Sequence, residues 1–553
     1  MIWQKAFKSP QLRFLVGIAV LFWGVCCILV LHRYYNFSLT YISFDQGIFN
    51  QVFWNSLHGR LFESSLSSTE SASVMQGDVP DVSYRRLGQH FTPALLLWLP
   101  FYALFQSPAG LSILQVTLVT AAGFMLYALA RHHLSPQLSS LIVMSYFGAI
   151  AVIGPTVANF HDICQVPLYS FGLFLALEKR KWWIVGVLAI LLLLVREDSG
   201  IVLFSIGFYL AISRRHLRIG IGLCLLSLAY LLIVTNLIMP LFSQDISQRF
   251  MVEQFGQFVD NEEASTLDVL WAIARNPGRL IAEIVMPVGK TISYLLGHWV
   301  PLAFVPLVAP EAWALAGFPL LKILLLKAEV TALSPHWRYA MSLVPGLFYG
   351  TILWWAKHPD RYTRRFRFFW TACIGLSLFF TMTANPSHVL SWAIPDSFQP
   401  WVYVSPPGQW QHSQAVRSLL TQIPNNASVT ATDQIVSHLS SRREVLRFPG
   451  IQLRNDLDET ISVEYAIADL WYLQRYEPAF ESYRNSLKLM LDTINVLLEG
   501  SYGLIDFEDG VVLLQKEANS NQTALNAWTT YQQELAPIFS NEASLYQFFM
   551  KLR

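Results

Sequence analysis

The chain has 553 residues, of which 54% are hydrophobic and only 14% charged, and its mean hydropathy is +0.40. Soluble domains carry about 25% charged residues, so this balance excludes an ordinary water-soluble enzyme along most of the length. A formal net charge of +1 gives no global field to hold nucleic acid, and the five cysteines, none at metal-ligand spacing, imply no disulfide framework.

The N-terminal MIWQKAFKSPQLR leads into an apolar run with no small-residue cleavage site behind it, so 14–31 reads as an uncleaved first span. Further spans are expected at 109–129, 138–155, 163–178, 182–195, 199–213, 219–242, 291–308, 311–327, 339–356 and 368–384, about eleven in all. The first two are separated by a long loop, 32–92. It runs into an apolar stretch, 91–105, broken by Pro93 and Pro100 and expected to lie along the interface.

With the N-terminus in the cytoplasm, the basic residues Lys5, Lys8, Arg13, Arg131, Lys179, Arg180, Lys181, Arg214, Arg215, Arg218, Lys357, Arg361, Arg364, Arg365 and Arg367 all fall inside. Counting 91–105 as a span would put the later clusters outside. The odd number of crossings then leaves everything beyond a membrane domain at 1–384 on the outer side, and the composition there turns to that of soluble protein. ASVTATD reads as a strand, QIVSHLSSR as a helix, EVLRFP as a strand, and YGLIDFEDGVVLLQK as a hairpin turning at Glu508-Asp509-Gly510. Residues 385–517 are thus expected to form an α/β domain and 518–553 a helical tail. No glycine-rich phosphate loop supports dinucleotide binding. The expected class is an α-helical polytopic protein of the plasma membrane with a C-terminal extracytoplasmic α/β domain.

Polar residues beside the spans gather on the outer side. They are Asp45, His90, the pair His161 and Asp162, the run Arg196-Glu197-Asp198, Lys322 inside the ninth span, and Glu329, His336 and Arg338 after it. Ionisable groups at membrane depth are costly, so they tend to be paired, wet or functional. Each has a plainer reading. Arg196-Glu197-Asp198 fits a solvated turn, His161-Asp162 an exit-loop pair, His90 a helix start, Asp45 an N-cap for the helix after it, and Lys322 a snorkelling side chain. Arg85-Arg86 reads as a wet loop and Asp456-Leu457-Asp458 as a helix start.

In order and sidedness these features resemble the GT-C superfamily of membrane glycosyltransferases: Asp45 early in a long outer loop, HFTPALLLWLPFYALF, a span ending in YALARHH, and LAILLLLVREDSGIVLFSIGFYL. More closely, SFDQGIFNQVFWN, LGQHFTP, NFHDICQVPL, VREDSG, PHWRYAMSLVPG and IVSHLSSRREVLRFP resemble the family known as domain of unknown function 2079. The resemblance implies transfer of a sugar from a polyprenyl-phosphate donor at the outer face, with membrane lipid as partner. Asp45 would be the base, Arg338, Arg196 and Lys322 would meet the phosphate, and His90, His161, Asp162, Glu197, Asp198 and His336 would shape the pocket. No metal ligand is assigned. GT-C enzymes often place two acidic residues together in this loop, whereas Gln46 follows Asp45, so a divalent cation would need Asp162, Glu197 or Asp198 as well. Two other readings are a transporter or lipid flippase, and a non-catalytic scaffold of the same fold.

Overall fold

The computed structural model describes residues 10–38, 42–259, 263–326, 333–383 and 390–551. Lys5, Lys8, Glu329 and the expected boundary at 384 lie outside the described residues. Among the described residues, four helices are long and apolar enough to cross a membrane: Pro10–Tyr35, Pro108–His133, Leu217–Leu241 and Arg364–Thr383. Two bent pairs, Pro136–Phe147 with Ile150–Thr156 and Pro277–Val285 with Val288–Leu302, raise this to six if each pair is one span. Expected spans five and six fall on the shorter apolar helices Trp182–Val195 and Ser199–Ile212. Leu21 and Ile28 on the first helix stand largely exposed, as side chains facing lipid would.

The breaks have local causes. Residues 91–105 form a 3₁₀ helix, Pro93–Trp98, followed by an α-helix, Leu99–Leu104. Each proline sits in the first turn of its helix, where its missing N–H has no partner to lose. The segment expected to span at 339–356 begins instead as a 3₁₀ turn, Arg338–Ser342, and continues as the helix Val344–Lys357. That helix packs tightly on Pro310–Leu325, because a Cβ at Gly350 would lie 2.3 Å from the Ala312 Cα. The contact fixes the helix bearing Lys322 against the segment that begins with Arg338.

The C-terminal region carries a five-stranded mixed sheet in the order Val445–Arg447, Val429–Ala431, Tyr465–Asp469, Val511–Lys516, Tyr502–Glu508. The first two strands are parallel and joined by the helix Asp433–Leu439, and the last two form an antiparallel hairpin. Its two-residue turn places Asp509 at φ 46° and Gly510 at φ 77°, the left-handed pair that matches strand twist. Asp458 also has positive φ and lies in a turn between the strands Gln452–Arg454 and Thr460–Ser462, not at a helix start.

This sheet does not sit apart from the segment between the first two long helices. Phe37, Phe44, Ile48 and Leu66 share one core with Val429, Ala431, Ile435 and Val511. Along the helix Ile42–Leu57, Ser43 meets Ser437 at 2.8 Å, Asn50 donates to Ser440 at 2.9 Å, and Gln51 donates to the Arg442 and Arg443 carbonyls at 3.1 Å. Buried amide–carbonyl bonds of this kind contribute about 1 kcal/mol each, but leaving one partner unpaired costs up to about 3 kcal/mol, so the interface is fixed in register.

Inside the sheet domain, the imidazole of His412 lies between Asp469 (3.1 Å) and Asp509 (2.9 Å) and stacks on Trp471. Burial alone would lower its pKa, but the two carboxylates reverse this and raise it from 6.5 to about 9. The folded state therefore binds the proton more tightly than the unfolded chain. The resulting stability, about 3 kcal/mol at most, is complete below pH 6.5 and is lost as pH rises through about 9. Melting of purified protein should show wild type well above His412→Gln at pH 6, with the gap closing by pH 10. A gap independent of pH would mean that His412 stays neutral.

Candidate functional site

Four interruptions of regular helix deliver the charged side chains to one place. Asp45 stands in the first turn of Ile42–Leu57, and Arg86 in a 3₁₀ turn just before His90. Arg196, in extended backbone, ends the helix Trp182–Val195, and Arg338 opens its own 3₁₀ turn. Chain ends of this kind expose backbone groups and turn side chains off the helix axis, which an unbroken span would not.

The contacts form a continuous network. Arg338 Nη1 donates to Asp45 Oδ2 at 2.5 Å. Glu197 accepts from His90 Nδ1 at 2.9 Å, from the Phe91 backbone N–H at 2.9 Å and from Arg196 Nε at 3.2 Å. Arg196 Nε also lies 3.6 Å from Asp198 Oδ1, whose other oxygen accepts from Lys322 Nζ. The three cations surround one ring: Arg196, Lys322 and Arg338 lie 5.6, 5.7 and 5.6 Å from the centre of Tyr339. An aromatic face attracts each cation and holds them together against mutual repulsion.

Burial works to raise the Asp45 carboxyl, but the charge and hydrogen bond of Arg338, helped by Arg86, outweigh it and keep Asp45 below its ordinary value. Burial and the neighbouring arginines hold His90 neutral, well below the usual imidazole range. The adjacent acids are pushed apart: burial raises Glu197, whereas Lys322 and Arg196 hold Asp198 down against its own burial. At neutral pH Asp45 is a free base in charge terms, although its lone pairs are engaged by Arg338.

His161 and Asp162 are buried beside this network. His161 Nε2 faces the Pro155 carbonyl at 3.3 Å, and burial followed by Arg338 lowers its pKa to about 3. Asp162 Oδ1 accepts from the Ile163 N–H at 2.9 Å, and its Oδ2 has no partner among the described residues. Asp162 is within electrostatic reach of Arg86, Arg196 and Arg338. His336 packs instead against Gly154, away from the ion pairs, with burial lowering its pKa to about 4.

Several participants are not evident in the sequence. Arg86 is no wet loop residue: it is buried, with its guanidinium 4.7 Å from the centre of Phe49. Glu70 links the first outer loop to the sheet domain, 3.5 Å from Arg447 and 3.9 Å from Arg249. Arg447 also makes a two-pronged pair with Asp433 at 2.7 and 2.9 Å. The run PHWRYAMSLVPG contains Tyr339, but nothing in it marks that ring as the centre of three cations.

The structure holds two cavities of note, and only the first is lined by residues of this network. One of about 340 Å³ starts at His90, Arg196, Glu197, Asp198 and Lys322 and runs between apolar side chains such as Leu228, Leu231, Phe250, Phe318 and Leu321. The other, about 700 Å³, lies between the first outer loop and the sheet domain, with Glu70, Asp78, Asp433, Arg447, Gln452 and Ser486 among its walls. A charged end on an apolar groove fits an amphiphile with an anionic head. A polar cleft fits a hydroxyl-rich or peptide-like molecule.

A family model described as "Predicted membrane protein (DUF2079)" matches residues 33–513. No curated protein matches the chain. Among solved structures, that of ArnT from Cupriavidus metallidurans bound to undecaprenyl phosphate is similar at 9% identity and TM-score 0.41, over 91% of this chain and 97% of that one. The oligosaccharyltransferase of Archaeoglobus fulgidus, in complex with Zn and sulfate, is similar at 11% identity and TM-score 0.36, over 85% and 69%.

Proposed function

The chain belongs to the family described as predicted membrane protein (DUF2079), and from that premise we propose that it is a GT-C-like glycosyltransferase. In this reading it moves a sugar from a polyprenyl-phosphate donor to an acceptor at the outer face of the plasma membrane. The observation that carries it is the apolar groove that ends at Arg196 and Lys322, two cations that share the ring of Tyr339 with Arg338, the partner of Asp45. The polyprenyl chain lies along the groove and its phosphate displaces Asp198 from the cations. The acceptor enters through the polar cleft beneath the sheet domain.

Transfer then follows from residue chemistry. The acceptor hydroxyl gives its proton to Asp45 as its oxygen bonds to the anomeric carbon, and the bond from that carbon to the phosphate oxygen breaks. The phosphate leaves as an anion that needs positive charge more than a proton, which Arg338, Arg196 and Lys322 supply. Arg338 keeps Asp45 ionised at rest and shifts toward the phosphate as the proton arrives. His90 and Glu197 hold Arg196 in place, and Asp162 lies beside the same cations. His161 lies beside the network, within electrostatic reach of Arg338 and Asp45, whereas His336 packs outside it. No step requires a divalent cation.

The reading also commits to sidedness: about eleven spans, the N-terminus in the cytoplasm and the sheet domain outside. Cysteines introduced at the exposed positions Gln76 and Ser520 should react with an impermeant thiol reagent on intact cells, and those at Ser213 and Asp360 only after permeabilisation. Labelling at Asp360 in intact cells would overturn the threading. The activity is tested with membranes containing or lacking the protein, by release of polyprenyl phosphate and transfer of labelled sugar. No transfer from any lipid-linked sugar would shift the weight to a transporter or a scaffold.

A further inference from the structure

A second cluster lies at the other end of the helix that begins just after Asp162. The helices Pro108–His133 and Val166–Glu178 finish side by side, one in His132 and His133 and the other in Glu178. Glu178 Oε2 faces both rings, 3.8 Å from His132 Nε2 and 3.5 Å from His133 Nε2. The three ligand-type atoms lie within 4.8 Å of one another.

Three features of this corner fit a bound cation. A carboxylate at a helix C-terminus meets the negative end of the macrodipole, and here two such ends adjoin. His133 Nε2 is buried yet makes no hydrogen bond among the described residues, although a carboxylate oxygen stands 3.5 Å away. The carboxylate is also pre-aimed. Arg215 Nη1 at 2.9 Å and the Tyr349 hydroxyl both donate to Oε1, which leaves Oε2 turned to the imidazoles. Such outer partners are how ligating carboxylates are usually oriented.

We propose that His132, His133 and Glu178 bind a divalent transition-metal ion, zinc first, that ties the ends of these two helices together. Two imidazoles and one carboxylate are a known zinc set, and a four-coordinate ion with bonds of about 2.0–2.1 Å spaces its ligand atoms about 3.3 Å apart. The separations of 3.5 and 3.8 Å are close to that spacing and too long for direct hydrogen bonds. His132 is partly exposed, so solvent can supply the fourth ligand. Magnesium, which prefers six oxygens, does not suit this donor set. The ion has no part in the outer-face chemistry, so this site stands or falls independently of the glycosyltransferase reading.

The test is zinc binding by purified, untagged full-length protein in detergent, stripped with chelator and dialysed against zinc or magnesium at micromolar concentration. We expect one zinc per chain, no magnesium, and a higher melting temperature with zinc. His132→Ala, at a partly exposed position, and His133→Gln should lose the bound zinc and the thermal response. Tyr349→Phe should weaken binding by about 10–100-fold, because Glu178 loses an orienting donor. Wild type that holds no zinc, or a normally folded His132→Ala protein that holds it as tightly as wild type, overturns the proposal.

Discussion

Asp45→Asn should leave membrane insertion and abundance unchanged while cutting sugar transfer by about 10²–10⁴, the usual cost of losing a general base. Asn matches Asp in size and still accepts a hydrogen bond from Arg338, but it cannot take a proton from the acceptor. Because Arg338 and Arg86 hold the Asp45 carboxyl below its ordinary value of 3.8, protonation of Asp45 should not limit wild-type activity above that pH. Initial rates with saturating lipid-linked sugar, normalised to protein in the membrane, measure the effect. Full turnover by the Asn variant would remove Asp45 from the chemistry even if transfer itself were established.

Arg338→Ala should have a mixed effect that the Asn variant lacks. The pair is largely buried, with side chains 23% and 22% exposed, and removing one partner of such a pair costs about 3–5 kcal/mol because the other charge is left unpaired. Transfer should also fall by about 10²–10³, as expected when a donor to a developing anion is lost. The double variant Asp45→Asn with Arg338→Ala separates the two parts. It removes the orphaned charge, so its melting temperature should recover most of the loss, while its activity stays as low as that of Asp45→Asn. If stability does not recover, Arg338 holds the fold through Tyr339 rather than through Asp45.

Some of this architecture could be read before any coordinates, and the reasons are physical. Long apolar runs are strong signals because lipid tolerates few alternatives. The Asp509-Gly510 hairpin was legible because a two-residue turn with positive φ demands such residues. Short spans were harder. The stretch 339–356 is apolar throughout, yet its first turn is 3₁₀ and carries the arginine that meets Asp45. Hydropathy cannot distinguish an apolar turn from an apolar helix. Arg86, Glu70 and Arg447 were missed for a different reason. Their partners lie in other parts of the chain, and a charge in a loop looks solvated until the surface that covers it is known. The junction between the first outer loop and the sheet domain was hidden likewise, since its serines and amides resemble any soluble surface.

That junction has a consequence in time. The helix bearing Asp45 leaves the ribosome early, but Ser437, Ser440 and Arg442, which fix its polar face, follow almost four hundred residues later. At about 5–20 residues per second the interval is roughly 20–80 s. During that interval the helix has only its early partners, Ser64 and Ser65 on Gln51 and Tyr102 on Asn50, and its bonds to the sheet domain are missing. The surroundings of Asp45 therefore cannot be complete on a nascent or truncated chain, and a polypeptide released before its last sheet is made would lack the surface on which this helix rests.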